Sequence, residues 1–380
     1  MFTSPERRAT DSIKWRRFPQ DVLPLWVADM DFTSPPAVMA ALHQRVDHGV
    51  FGYANESDPL KNLIVERMQQ RYGWKISKDA VMLIPGVIAG LNLSAHAVVK
   101  PGESILIQPP VYPPFFEVPG NCGTRTVMSA VKLSESGTYE VDFEDFEQRI
   151  ESDTRLFLLC NPHNPIARVY TPEELSHMTE ICLRHDLLIC SDEIHSDLIF
   201  SGSKHTPIAS LSDEIAARTI TLIAPSKTFN IAGLDCAALI CTNPDLMQRL
   251  KKASQGLMGG VNLLGAVAAE AAYRDGAEWL AEILQLLESN RDYLLEYIRQ
   301  EMPAISMTCP QATYLAWLDC SELDLAESPG EFFLKQARVG LNPGIDFGEV
   351  GRNHVRLNFG TSRETLETAL DRMADALRRR

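Results

Sequence analysis

The 380 residues carry 36 Lys and Arg against 50 Asp and Glu, a net charge of −14, and 45% of them are hydrophobic. That is enough apolar material for one large core and a second domain, while the acidic balance argues against nucleic acid and anionic membrane surfaces as partners. No apolar run is long enough to span a bilayer, and the opening "MFTSPERRATDSIKWRRF" has no apolar stretch after its charges, so no signal peptide and a cytoplasmic location are expected.

From about residue 80, "PGVIAGLNLSAHAVV" reads as an apolar helix entered through Pro85-Gly86. The runs "SILIQ" (104–108), "TRLFLLCN" (154–161), "DLLICSDE" (186–193), "TITLIAPSK" (219–227) and "CAALICTN" (236–243) read as buried strands. Near-continuous apolar runs, rather than alternation, predict a parallel sheet covered on both faces. Between them, "YTPEELSHMTEICLRH" predicts a helix with Thr171 as N-cap, Pro172 at its first position and Glu174 completing a capping box. Strands alternating with helices imply a doubly wound α/β domain. After about residue 275 the pattern changes. "EWLAEILQLLESNRDYLLEYIRQEM" predicts a long amphipathic helix, "TYLAWLD" and "HVRLNF" two strands, and "ETLETALDRMADALRRR" a closing helix with a Leu366, Leu370, Met373 and Leu377 stripe. A large α/β domain beside a small α+β domain makes a cleft, and such clefts hold ligands. The eight cysteines form no C-x-x-C pair and several sit in apolar runs, so reduced thiols are expected.

Four stretches carry chemistry. Backbone N–H groups at the helix start after Gly86 could bind an anion, usually phosphate. "CNPHNPIA" (160–167) places two Asn-Pro turns after a strand, where an Asn side chain can donate to a ligand oxygen. "SDEIHSDL" puts Asp192 and Glu193 at the carboxyl end of a strand, where ligands bind in open α/β sheets. A carboxylate there could bind a metal, pair with a base, hold a charged ring nitrogen, or cap the junction; Asp192 with His195 lacks the further His or Cys of a metal set. In "APSKTFN" (224–230), Lys227 follows an apolar strand. It either snorkels to solvent or is desolvated, which lowers its pKa and makes it a nucleophile or base. Taken together, the four describe a ligand with a phosphate, a basic ring nitrogen, a ring oxygen and an aldehyde. Pyridoxal 5′-phosphate has all four.

In order along the chain, "LPLWVADMDF", "FGYANESD", "PGVIAGLN", "QPPVYPPF", "NPHNP", "SDEIHSDL", "APSKTFNIAGL", "TYLAWLDC" and "VRLNFG" resemble the fold-type-I pyridoxal-phosphate enzymes of the class I/II aminotransferase superfamily. "WVADMDF", "SDEIHSD" and "SKTFNIAGL" are most similar to its cystathionine β-lyase and cysteine-S-conjugate β-lyase branch. The resemblance implies that Lys227 holds the cofactor covalently and that Asp192 keeps its pyridine nitrogen protonated. It implies Asn164 and His195 beside the ring hydroxyl and Tyr112 stacked on the ring. Gly86, Val87 and Ile88 would form the phosphate loop, with Ser226 adding a hydroxyl. Tyr53 would reach the phosphate of a neighbouring subunit, which implies a homodimer with shared sites. Arg356 would grip the substrate carboxylate, and with Asn164 and Tyr53 form the substrate contacts.

Two departures stand out. Ile166 and Ala167 replace the usual Thr-Gly after Asn-Pro, so this loop is expected to sit differently beside the ring. Asp235 stands where many transaminases carry a phosphate-binding arginine, and it is expected to turn away. The resemblance implies three parts: residues 1–45 packing with the small domain, 46–280 as the large cofactor domain, and 281–380 as the small domain. The expected reaction is carbon–sulfur β-lysis of L-cystathionine or other L-cysteine S-conjugates to thiol, pyruvate and ammonia. The alternatives are a transaminase built from the same parts, and a cofactor-binding regulatory protein acting through a partner. Tyr53, "WVADMDF" and "QGLMGGVNLL" are expected to line the side-chain pocket.

Overall fold

The computed structural model describes residues 2–55, 57–135 and 137–380. Its large unit is built on seven strands: Val81–Ile84 (β1), Ser104–Ile107 (β2), Arg125–Met128 (β3), Thr154–Cys160 (β4), Leu188–Asp192 (β5), Thr219–Ile223 (β6) and Ala237–Ile240 (β7). They lie in the order β1-β7-β6-β5-β4-β2-β3. The sheet is mainly parallel, as expected; β7 alone among them runs antiparallel to both its neighbours, β1 and β6. Every residue of β7 is buried, so an antiparallel strand inside a covered sheet shows the same unbroken apolar run as a parallel one. The strands β1 and β3 were not foreseen: both lie at the sheet edges, and β3 is short, polar and half exposed.

Two local features fix the helices against this sheet. Helix Val87–Val98 (α1) begins at Gly86, whose backbone is extended. At Gly90 a Cβ would come within 2.7 Å of the Ile84 and Leu222 side chains, so the absent side chain lets the helix lie close on the sheet. Helix Pro172–Arg184 (α2) has the expected capping box: Thr171 Oγ1 accepts from the Glu174 N–H at 3.2 Å, and Glu174 Oε2 accepts from the Thr171 N–H at 2.9 Å.

Helix α3 is the single turn Pro225–Thr228, entered directly from β6. Beyond it, Ala277–Glu301 (α4) and Arg363–Arg378 (α5) flank a small antiparallel sheet of Ser306–Met307 (β8), Leu315–Asp319 (β9), Asn342–Pro343 (β10) and His354–Asn358 (β11). Leu366, Leu370 and Met373 of the expected α5 stripe are fully buried. The N-terminal segment joins this unit. Leu23–Pro24 pairs in parallel with Val339–Gly340, and Leu25, Met30, Phe32 and Val38 share one core with Ile298, Leu357 and Leu370. The N-terminal segment is thereby pinned between the small unit and the residues that follow α3 in the large one.

Replacing Thr171 by Ala removes one arm of the α2 cap and should cost about 1 kcal/mol in denaturant-induced unfolding. An unchanged midpoint would show that the cap adds nothing to the fold.

Candidate active site

The carboxyl ends of β4 and β5, the start of α1, and α3 open onto one cavity of 520 Å³. Its wall is completed by residues 26–28 and by Arg356 of β11. Of the residues singled out in the sequence, Gly86, Val87, Ile88, Tyr112, Asn164, Asp192, His195, Ser226, Lys227 and Arg356 all line it. Tyr53 does not: it is fully exposed and lies outside this cavity in the single chain. The loop 255–264 is likewise absent from the cavity wall, whereas Trp26, Val27 and Ala28 of "WVADMDF" are part of it.

Lys227 borders the cavity, and its Nζ donates to the Ala28 carbonyl at 2.7 Å. Burial pushes its pKa down to about 8, helped by the nearby Arg356 charge and opposed by Asp29 and Asp192. The snorkelling alternative is thereby set aside: the amine ends inside the molecule. Asp192 terminates β5 and accepts the Ile194 N–H at 3.1 Å. With no cation within 4 Å among the described residues, burial pushes it up to about 7. A positive ring nitrogen would reverse that shift, because an opposite charge restores the ionised form.

Arg356 is buried, and burial pushes it down to about 10, so it stays charged at neutral pH. Its Nη1 donates to Asn164 Oδ1 at 2.9 Å, and its Nη2 to the Trp26 carbonyl at 2.9 Å and Asn342 Oδ1 at 2.6 Å. Nε is buried without a partner, and among the described residues no carboxylate lies within ion-pair distance. A buried cation held only by neutral acceptors is a receptor for an anion. With Oδ1 taken by Arg356, Asn164 keeps its Nδ2–H₂ to donate to a ligand. His195 is pushed down to about 3 by burial, Lys227 and Arg356, so it is neutral. Its Nδ1 is buried without a partner. Burial also raises Tyr112, which stays a neutral phenol.

These features fit pyridoxal 5′-phosphate. The uncapped start of α1 offers N–H groups to a phosphate. An unpaired buried carboxyl, an orphaned histidine nitrogen and a free asparagine amide meet in the same space as the Lys227 amine.

Asp235, the acid at the position where many transaminases carry an arginine, lies at the cavity edge. It borders the cavity beside Ala232 and Ser226, in the left-handed conformation at φ 49°. The residue is solvent-exposed, so water and salt screen its charge from a phosphate. Ile166 packs into the core, and Ala167 takes φ 55°, a conformation that glycine adopts more easily. Asn342, Cys160 and the Trp26 and Ala28 carbonyls were not foreseen. Backbone carbonyls leave no trace in a sequence, and "GLNPG" reads only as a turn.

His163 is a further member of this framework. Its Nε2–H donates to the Pro110 carbonyl at 2.8 Å and its Nδ1 accepts from the Tyr170 hydroxyl at 2.7 Å. It thus ties the Asn164 loop to the Tyr112 loop. Burial pushes its pKa down to about 4. A depressed pKa gives stability that is present above the unfolded value of about 6.5 and lost as pH falls toward 4. Between pH 7 and pH 5 it should remove about 2 kcal/mol of unfolding free energy. His163→Gln should flatten that part of the pH profile, measured by denaturant unfolding; an unaltered profile would show that the imidazole titrates normally.

The family model for aminotransferase class I and II matches residues 20–373. Over 98% of each chain, the sequence is 41% identical to the cystathionine beta-lyase PatB of Bacillus subtilis (strain 168). The crystal structure of OvoB superposes with a TM-score of 0.94 at 42% identity, covering 98% of this chain and 97% of that one. The PLP-bound C-S lyase of Staphylococcus hominis superposes with a TM-score of 0.93 at 32% identity, covering 99% and 98%.

Proposed function

The chain belongs to the aminotransferase class I and II family, and on that basis we propose a pyridoxal-phosphate-dependent carbon–sulfur β-lyase acting on L-cystathionine or related L-cysteine S-conjugates. The observation that carries the reading is the convergence of an unpaired lysine, carboxyl and guanidinium on one cavity. The relatives named cystathionine beta-lyase and C-S lyase favour lysis over transamination.

Pyridoxal 5′-phosphate, when bound, supplies a carbonyl that condenses with amines and a ring that takes up electrons from Cα. The α1 start at Gly86, Val87 and Ile88, with Ser226, would hold its phosphate. Asp192 would hold the ring nitrogen, Asn164 and His195 the ring oxygen, and Tyr112 the ring face. Arg356 orients the substrate by its carboxylate, and its fork, already aligned by Asn164, Trp26 and Asn342, loses little freedom in doing so. Lys227, with its lowered pKa, is partly neutral near pH 8 and takes the Cα proton. The Cβ–S bond then breaks and sulfur leaves with the electron pair as a thiolate. Addition of water to the remaining three-carbon unit gives pyruvate and ammonia.

The three-part division at residues 45 and 280 is supported by the core shared between the N-terminal segment and the last hundred residues. Val50, Phe51, Tyr53 and Leu257 are exposed apolar or aromatic side chains, which supports a second copy of the chain there, with Tyr53 entering the partner's cavity. No helix of the described residues is long and apolar enough to cross a membrane. Eight free thiols, seven of them buried, support a cytoplasmic location.

With L-cystathionine and no added 2-oxo acid, pyruvate and homocysteine should appear together, followed by a coupled dehydrogenase and a thiol reagent. Turnover that needs pyruvate or 2-oxoglutarate, with no thiol released from any cysteine conjugate, would establish the transaminase instead. Arg356→Lys turns the fork into a point charge and should cost about 1.5–3 kcal/mol, mostly as a raised KM. A fall in kcat alone would mean that Arg356 does not hold the ground-state carboxylate.

A further inference from the structure

We propose that the carbonyl of Ala28 is the dock for the free amine of Lys227, and that Asn358 is the positioning residue that sets it. This rests on the reading of Lys227 as the base. The Ala28 oxygen accepts both from Lys227 Nζ at 2.7 Å and from the Tyr314 hydroxyl at 3.0 Å. The carbonyls on either side belong to Asn358: its Nδ2 donates to Val27 at 2.6 Å and to Asp29 at 2.7 Å. Asn358 is fully buried, and its Oδ1 accepts from the Gly360 N–H at 2.7 Å. A flipped amide would lose all three bonds, so its orientation is determined.

The neighbouring carbonyls are held as closely. The Asn358 N–H donates to Leu25 at 2.9 Å, Arg356 Nη2 to Trp26, and Asn230 Nδ2 to Met30 at 2.9 Å. The segment is also clamped by a buried ion pair, Lys14 Nζ to Asp31 Oδ2 at 2.8 Å, with Trp15 Nε1 and Arg7 Nη1 donating to the other oxygen of Asp31. A surface loop has no use for this much fixation of its backbone. Here it gives the amine one acceptor at one place. Lysine has a long flexible stem, and once the substrate has displaced it a free amine without a fixed acceptor would wander during turnover. Arg356 and Asn358 are two residues apart on β11 and so share a face. One strand thus sets both the grip on the substrate carboxylate and the resting point of the base.

The test uses L-alanine, which has a Cα–H but no leaving group, with the cofactor-loaded enzyme in D₂O. Exchange of the Cα proton is followed by NMR, L-alanine affinity by the visible spectrum, and folding by thermal melting. Asn358→Ala should slow exchange at least about 10-fold, as misplacement of a reacting group does, while the affinity for L-alanine changes less than about 3-fold. Asn290→Ala is the matched control: its buried amide also donates to two carbonyls, of Phe359 and Thr361, but touches neither residue 28 nor its neighbours. It should lower the melting temperature and leave exchange per loaded site unaltered. If Asn358→Ala does not fold, Asp31→Asn, which keeps the shape and removes the charge, should slow exchange in the same direction. Unchanged exchange in folded Asn358→Ala or Asp31→Asn, or an equal loss in Asn290→Ala, would overturn the dock. A wild-type enzyme that cleaves cystathionine yet exchanges nothing would overturn Lys227 as base, and the dock with it. A wild type that exchanges but never cleaves leaves the dock standing and removes the lyase reading.

Discussion

Two cations, the half-buried Lys227 and the buried Arg356, face one cavity with no carboxylate paired to either within the described residues. Each lowers the pKa of its surroundings: Arg356 is the second largest cause of the depressed Lys227 value, and both act on His195. Burying a charge costs several kcal/mol unless neutral acceptors take the place of water. The chain meets that cost with oriented carbonyls and amides rather than with anions. A carboxylate partner would hold Lys227 protonated and fill the fork of Arg356, and neither residue could then act on a substrate.

The surrounding architecture follows from that choice. Oriented backbone carbonyls require a segment that cannot move, and residues 25–32 are immobilised by groups from four distant parts of the chain: Lys14, Asn230, Tyr314 and β11. The N-terminal segment is therefore part of the active-site wall although no side chain of residues 2–20 lines the cavity. The ion pair between Lys14 and Asp31 sits on the far side, where opposite charges can meet without neutralising the site.

Much of this was legible in the sequence, and the unread parts share a cause. The five long buried strands, the Thr171 capping box and the final helix follow from periodicity and composition, because those signals are local. Asp192 and Lys227 were legible because each sits at the end of an apolar run, where the chemistry of an α/β sheet collects, and Gly86 because it opens an apolar helix. The direction of β7 and the two edge strands were not, since strand direction and pairing are decided by the fold and leave no periodic mark. The exposure of Asp235, which a sequence does not reveal, is what lets an acid border this cavity. The carbonyl dock at Ala28 was beyond reach for a simpler reason, as the backbone is identical at every residue.

The lowered pKa of Lys227 links the two halves of the proposed reaction. An amine near 8 is neutral often enough to take a proton from Cα, and its conjugate acid then carries that proton. A thiol titrates at about 8.5, so the lysine ammonium can hand its proton to a departing thiolate with the equilibrium near balance. An alkoxide leaving group is far more basic and would need a proton before it left, from a strong acid placed beside the oxygen. Beyond the weakly acidic Lys227 ammonium the cavity offers none: His195 is neutral, Tyr112 is held protonated by burial, and Asp192 sits at the β5 end, the place proposed for a ring nitrogen. Carbon–sulfur bonds are thus the bonds this set of groups is equipped to break, and a single lysine suffices for both proton transfers.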